Sequence, residues 1–548
     1  MPSILFIHPP VAKACEPPGG IAALIGTLER AGVECEVLDL NLEGLDGLMH
    51  GEAAGDDAWT RRAVRHRDHN LDALRRGQTY DSPDRYSRVV ADLNRLVERS
   101  VPFGPGGPDA GIRISLANYQ DDRLAPTRSR DLLWAAEMPE ANPFIPVLAP
   151  RLIRAVETFQ PEAVGISLNY LSQALCAFAL IGFIRRRWPD MVILLGGGLV
   201  TSWAGRLATG AGRHGSHAEL QPSSDLVSED TLKGSLGTLD GLFAGLVDAV
   251  ISGPGEAPLL QWFDKTASGK APLELPNYGL FPLNDYFSPG LILPYAASRG
   301  CYWNRCAFCP EPAEGNRYLP VGRSRAGREL CLLVQKHRPA LIHLVDNALS
   351  PALLDELILN PPGAPWYGFV RFAPRLADPE YCRALRQAGC VMLKLGLESG
   401  SQAVLDRERK GVDLALAERV LESARSAGIA SYVYLLFGTP SESEQEARAT
   451  LEFTVRNSRA ISFLNLALFN LPLAGRGRAG LDVLPYNDDL SLYAGFRHPK
   501  GWDRRLVRRF LDREFRRHPA MAEILRRDPP LFTSNHAPFF RERPDTAN

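Results

Sequence analysis

Cys301-Tyr-Trp-Asn-Arg-Cys306-Ala-Phe-Cys309 places three thiols in one short run. Three thiolates can hold three irons of a four-iron cluster and leave the fourth without a protein ligand. An open iron can bind a substrate or cofactor, whereas a closed four-cysteine cluster only carries electrons. Zinc and unreactive thiols are the alternatives. Structural zinc takes four ligands as a rule, and the nearest histidines, His337 and His343, lie well downstream. A disulfide framework fits poorly, because the chain has nine cysteines and the other six are scattered through apolar or helical surroundings.

Outward from the cysteines, six strand-like runs follow one another from about residue 276: 291–298, 341–345, 367–372, 391–397, 431–437 and 461–468. Helical stretches separate them, as in a partial (β/α)₆ barrel, and the cysteines follow the first run, at the carboxyl rim where such barrels place catalytic groups. Gly396-Leu-Glu398-Ser399-Gly400 closes the fourth run, with Lys410-Gly411 beyond it, and Gly438-Thr-Pro440 follows the fifth. Asp346 and Arg371 sit at the ends of the second and third. Each also has an ordinary structural reading, as an ion pair or a plain turn.

The first 40 residues read as strand, loop, helix, strand, with Pro9-Pro10 ending the first strand and Pro-Pro-Gly-Gly20 opening the helix. The alternation resumes with a strand at 163–167, a helix at 172–187, a strand at 191–195 ending in Gly196-Gly197-Gly198, and a strand at 247–252. Such alternation predicts a doubly wound α/β domain with a parallel sheet. Ligands of these sheets bind beyond the carboxyl ends of the strands, where Pro9, Pro10, Ser167, Asn169, Gly196, Gly197 and Gly198 fall. The expected division is therefore 1–275 for this domain, with insertions at about 43–145 and 209–238, then a barrel at 276–475 and a helical C-terminal segment at 476–548. Within the first insertion, 59–98 reads as a charged helical stretch.

The cysteine run resembles the signature of the radical S-adenosylmethionine (SAM) superfamily, although the common spacing there is Cys-x₃-Cys-x₂-Cys and four residues separate Cys301 from Cys306 here. The glycine and proline pattern of the first domain resembles the cobalamin-binding domain that precedes many radical SAM barrels. The resemblance implies a [4Fe–4S] cluster on Cys301, Cys306 and Cys309, with SAM on the open iron and Phe308 beside its adenine. It also implies SAM contacts from Glu398 and Ser399 and an adenine-side turn at Gly438 and Pro440. Arg371 is a candidate for the SAM carboxylate, because a guanidinium matches a carboxylate bidentately. Asp346 is a candidate acceptor from SAM or substrate. An Asp-x-His-x-x-Gly motif is missing, so no histidine is placed as a lower ligand to cobalt. The implied reaction is reductive SAM cleavage followed by methylation of an unactivated carbon. A radical cyclisation, oxidation or rearrangement is the alternative, and a non-catalytic iron–sulfur or cobalamin-binding protein a further one.

A formal charge of −1 argues against a sequence-independent nucleic-acid binder. The longest apolar run, Ala174 to Ile184, is too short to span a bilayer and ends in three arginines. The expected setting is cytoplasmic, away from membranes. A small-molecule or peptide substrate and an external electron donor such as flavodoxin or ferredoxin are the expected partners.

Overall fold

The computed structural model describes residues 1–53, 55, 57–100, 111–208, 238–265, 274–313, 316–473, 480–486, 488–530 and 536–540. Nearly all of the expected insertion at 209–238, and part of the one at 43–145, lie outside these residues. The chain forms two compact units: Met1–Arg76 with Ser87–Phe287 and Tyr486–Leu492, and Gly77–Tyr86 with Ser288–Pro485 and Tyr493–Asn548.

The first unit is built on β1 (Ser3–Ile7), β2 (Glu34–Leu38), β3 (Ala163–Ser167), β4 (Val192–Gly196) and β5 (Ala249–Ile251). They pair in the order β2-β1-β3-β4-β5, all parallel. All five residues of β1 are buried, as expected of a strand covered on both faces. Helix α1 (Gly19–Arg30) connects β1 to β2. Helix α2 (Leu171–Arg187) is buried around most of its circumference and finishes in Arg185, Arg186 and Arg187, whose charge suits the negative end of the helix dipole. Helix α3 (Gly198–Ala208) starts on the glycine triplet.

The stretch at 59–98 forms two helices, Ala58–Arg75 and Pro83–Arg99, because Gly77 takes a left-handed φ of 79° and a short 3₁₀ turn intervenes. A hairpin, Ile112–Ser115 with Asn118–Asp121, follows.

The second unit carries β6 (Ile292–Tyr295), β7 (Leu341–Leu344), β8 (Trp366–Val370), β9 (Cys390–Glu398), β10 (Ala430–Phe437) and β11 (Phe463–Leu468). Their order follows the chain without a crossover, and every pair is parallel, giving the partial barrel expected. Its core gathers Ile292, Leu341, Tyr367, Met392, Tyr432 and Phe463 from successive strands. Of the C-terminal tail, His536 stacks on Tyr432 at 4.2 Å between ring centroids, and Phe540 meets Phe463 at 5.6 Å. Among the described residues no helix is long and apolar enough to cross a membrane.

Candidate active site

In the second unit, Asp346 anchors the start of the cysteine loop. Its buried carboxylate accepts from the Ala297 N–H at 2.9 Å and from the Ser298 hydroxyl, and burial raises its pKa. Both oxygens are therefore engaged by the segment that leads from β6 to the cysteines. Between Cys301 and Cys306 the loop turns left-handed at Asn304, with a φ of 46°. Beside that turn, the Trp303 indole N–H donates to the Arg409 carbonyl at 3.1 Å. The Arg371 and Arg305 guanidiniums lie 4.1 and 5.0 Å from its ring centroid. A second tie, from Ala307 N–H to the Glu408 carbonyl at 2.9 Å, holds the loop to the 408–411 segment.

That segment also bears Lys410, whose ammonium lies 2.8 Å from Glu398 Oε1 and 5.6 Å from the centre of the Phe308 ring. Glu398 reaches it from a register shift at the end of β9 and takes a left-handed φ of 69°. A side chain at Gly396 would collide with this pair, since its Cβ would lie 2.7 Å from Glu398 Oε1 and 2.8 Å from Lys410 Nζ. Arg371 donates to the Lys410 carbonyl. Phe308, Arg371, Glu398 and the loop that carries the three cysteines thus meet one short segment. Ser399 points elsewhere: it is buried, 3.1 Å from Thr450 Oγ1, and accepts from Ser401 N–H at 3.1 Å.

The three thiols are each half-buried. Burial raises the pKa of Cys306, against the opposing positive charges of Lys410 and Arg371, and pushes Cys309 up to about 12. Among the described residues no three His, Cys, Asp or Glu side chains converge on a single metal ion. A four-iron cluster asks for no such convergence, because each thiolate binds a different iron. Three thiols on one half-buried loop, with Lys410 and Arg371 acting on Cys306 against its burial, are a donor set that fits the cluster.

At the end of β10, Gly438 adopts a φ of 79° and donates its N–H to Glu442 Oε2 at 2.6 Å. The same oxygen accepts from the Trp502 indole at 3.0 Å, and the Thr439 carbonyl meets His498 Nε2 at 2.8 Å. The turn that carries Gly438 and Pro440 is therefore tied to the C-terminal segment through Thr439 and Glu442. Glu442 is fully buried, and burial raises its pKa to about 7. Ser441 links this turn to the cysteine-docking segment through Glu408 Oε1, 2.6 Å away. Inside the barrel, Lys394 Nζ lies 3.0 Å from His343 Nε2, and the His343 ring stacks on Tyr367 at 4.4 Å. Sequence reading missed Lys394 and His343, which alternate with apolar neighbours and announce themselves only once the strands' inner faces are known.

In the first unit, the ends of β3 and β4 are knit together by Asn169. Its amide donates to Ser167 Oγ at 3.0 Å and its Oδ1 accepts from Gly198 N–H at 2.9 Å. Gly197 has a φ of 117°, and a Cβ there would overlap the Leu168 carbonyl. Gly198, by contrast, is exposed, and a Cβ on it would meet only Asn169 Oδ1 at 3.6 Å. Pro9 and Pro10 are buried, and the Pro9 carbonyl accepts from Gln173 at 2.7 Å. Gln173 also accepts from the Asn169 and Tyr170 N–H groups, so it joins the two loops. Sequence analysis passed over it because it sits inside an apolar helix.

Residues 353–454 match the family model of the Radical SAM superfamily. The second unit contains a radical SAM domain. An uncharacterized methyltransferase of Pyrococcus horikoshii is 24% identical over 204 residues, 36% of this chain and 42% of that protein. The anaerobic magnesium-protoporphyrin IX monomethyl ester cyclase of Rubrivivax gelatinosus is 25% identical over 218 residues, 38% of this chain and 37% of the relative. The chain therefore spans less than half the length of these relatives. A solved radical S-adenosylmethionine methyltransferase, TsrM from Kitasatospora setae, superposes with a TM-score of 0.48 at 16% identity, covering 89% of this chain and 81% of the other. In the radical SAM domain the matched stretch includes β8, β9 and β10, with Arg371, Glu398, Lys410 and Gly438.

Proposed function

We propose that the protein is a cobalamin-dependent radical SAM enzyme that methylates a carbon of a small molecule or peptide. The observation that carries this reading is the cysteine loop tied by Trp303 and Ala307 to the segment bearing Lys410, paired with Glu398 at the barrel rim. Cys301, Cys306 and Cys309 would hold the cluster. Arg371 and Glu398 are the groups we assign to SAM, and the Gly438 turn is assigned to its adenine side. When bound, the cluster supplies the electron that cleaves SAM, and cobalamin supplies a carrier for the methyl group. Support for cobalamin comes from the first unit, whose 2-1-3-4-5 strand order leaves a crevice at the carboxyl edge where β1 and β3 adjoin. Asn169 and the open Gly198 stand on that edge. The Pyrococcus methyltransferase supports methyl transfer, and the Rubrivivax cyclase supports the second reading, a radical cyclisation.

Anaerobic reconstitution with iron, sulfide and hydroxocobalamin, followed by assay of 5′-deoxyadenosine and bound cobalamin, tests the proposal. Stoichiometric cobalamin, SAM cleavage and loss of both cluster and cleavage in Cys301→Ala, Cys306→Ala and Cys309→Ala are expected. SAM cleavage without cobalamin would remove the methyltransferase reading. A fully active single cysteine variant would remove the cluster site. Product mass separates methylation from cyclisation.

A further inference from the structure

Helix α4 (Arg504–Phe510) and the π-helical stretch Leu511–Phe515 that continues it bury Val507, Phe510, Leu511 and Phe515 on one side. The opposite side exposes Arg505, Arg508, Arg509, Arg513 and Arg517. The acidic residues of the same stretch are already engaged. Asp503 caps the helix by accepting from Leu506 N–H at 2.8 Å, Asp512 lies 3.6 Å from Arg516, and Glu514 lies 3.1 Å from Arg448. Among the described residues none of the five arginines forms an ion pair. The result is an exposed surface of net positive charge, seven arginines against three carboxylates over residues 503–517, on a chain whose total charge is near neutral.

Its position in the second unit gives the patch a meaning. Val507 packs against the Gly438 turn, since a Cβ on Gly438 would lie 3.2 Å from Val507 Cγ2. Ser441, three residues on, meets Glu408, and the Glu408 carbonyl accepts from Ala307 N–H, next to Cys306. The basic helix is therefore connected to the cysteine loop through two intervening pieces, the Gly438–Ser441 turn and Glu408. We propose that this face docks a small acidic electron-carrier protein that reduces the cluster; the inference rests on the function proposed above. In that step one electron leaves the carrier, which is oxidised, and enters the cluster, which is reduced. No bond is made or broken. Arginine suits the task because its planar, permanently charged fork pairs with surface carboxylates, and a net positive patch speeds encounter with an acidic protein.

The test compares two reductants on the reconstituted enzyme: reduced bacterial ferredoxin, which must dock, and dithionite, which need not. Dithionite-driven formation of 5′-deoxyadenosine examines the function itself, and its absence in the parent enzyme would reject that function, not the surface alone. With Arg508→Glu, Arg509→Glu and Arg513→Glu combined, the ferredoxin-driven rate should fall at least about tenfold while the dithionite-driven rate holds. In the parent enzyme the ferredoxin-driven rate should drop steeply with added salt. A flat salt dependence in the parent would overturn the proposal whatever the folding of the variant. So would an unchanged ferredoxin-driven rate in the variant, or a patch that binds RNA while ferredoxin reduces the variant normally.

Discussion

The Trp303 indole fills the volume that a side chain at residue 411 would need: a Cβ on Gly411 would overlap Cζ2 and lie 2.6 Å from Cη2. Gly411 also holds a φ of 65°, a conformation that glycine takes without a Cβ penalty. These two facts act on one object, the lengthened loop between Cys301 and Cys306. The tryptophan braces that loop against the barrel rim only because residue 411 is a glycine.

Gly411→Ala should therefore destabilise the protein by about 2–3 kcal/mol, combining left-handed strain with steric overlap. Adding Trp303→Ala should recover the steric part but not the strain. Urea denaturation of the two variants reads both quantities, and iron content after reconstitution should fall with Gly411→Ala. An alanine variant as stable as the parent would mean that the indole is not seated in this slot.

The strands were legible for a simple reason: in parallel sheets covered on both faces they read as short apolar runs. Ala163–Ser167 falls where the sequence places it, and β9 differs from its expected 391–397 by a residue at each end. The cysteines were legible because ligand spacing is local. What escaped was the set of contacts made across long sequence separations. Nothing in residues 301–309 announces that Trp303 docks on residues 409 and 411, or that Trp502 meets Glu442 across 60 positions. Residues 77–86 and 486–492 likewise pack with the unit to which their sequence neighbours do not belong. Local propensity carries no record of such partners.

Lys410 and Glu398 form an ion pair with side chains only 10% and 18% exposed. Removing one member leaves a charge with little water, which costs far more than the pair itself contributes. Lys410→Met should thus destabilise by about 3 kcal/mol, whereas the Lys410→Met, Glu398→Gln double variant should lose much less. Chemical denaturation of the full cycle reports the coupling. Additive losses would show that the two charges do not depend on each other.

Gly197 and Gly198 are neighbours with different tolerances. A side chain on Gly197 would run into the Leu168 backbone, whose carbonyl carbon and nitrogen would each lie 2.8 Å away. Gly197→Trp should lower the melting temperature before any ligand is considered. Gly198→Trp should leave the apo fold intact and weaken cobalamin retention. Circular dichroism separates the two effects from equilibrium binding, and unchanged retention in Gly198→Trp would move cobalamin away from this edge.

Glu442 gives a pH dependence with a definite sign. Burial, with Glu446 and Glu408 nearby, raises its pKa from 4.5 to about 7, against the hydrogen bonds from Gly438 and Trp502. The folded state therefore holds this proton over a pH range where the unfolded chain has released it. Its contribution to stability is complete below about 4.5 and is lost as pH rises through about 7. Glutamine removes the titration but keeps an oxygen that can accept from Gly438 and Trp502. Relative to the parent, Glu442→Gln should gain stability between about pH 5 and about pH 8, by up to roughly 3 kcal/mol. The added amide hydrogens, placed where Oε1 has no hydrogen-bond partner, shift both ends of the comparison equally. Denaturant midpoints measured across that range decide the matter. A stability difference independent of pH would show that Glu442 titrates in the folded protein as it does in the unfolded chain.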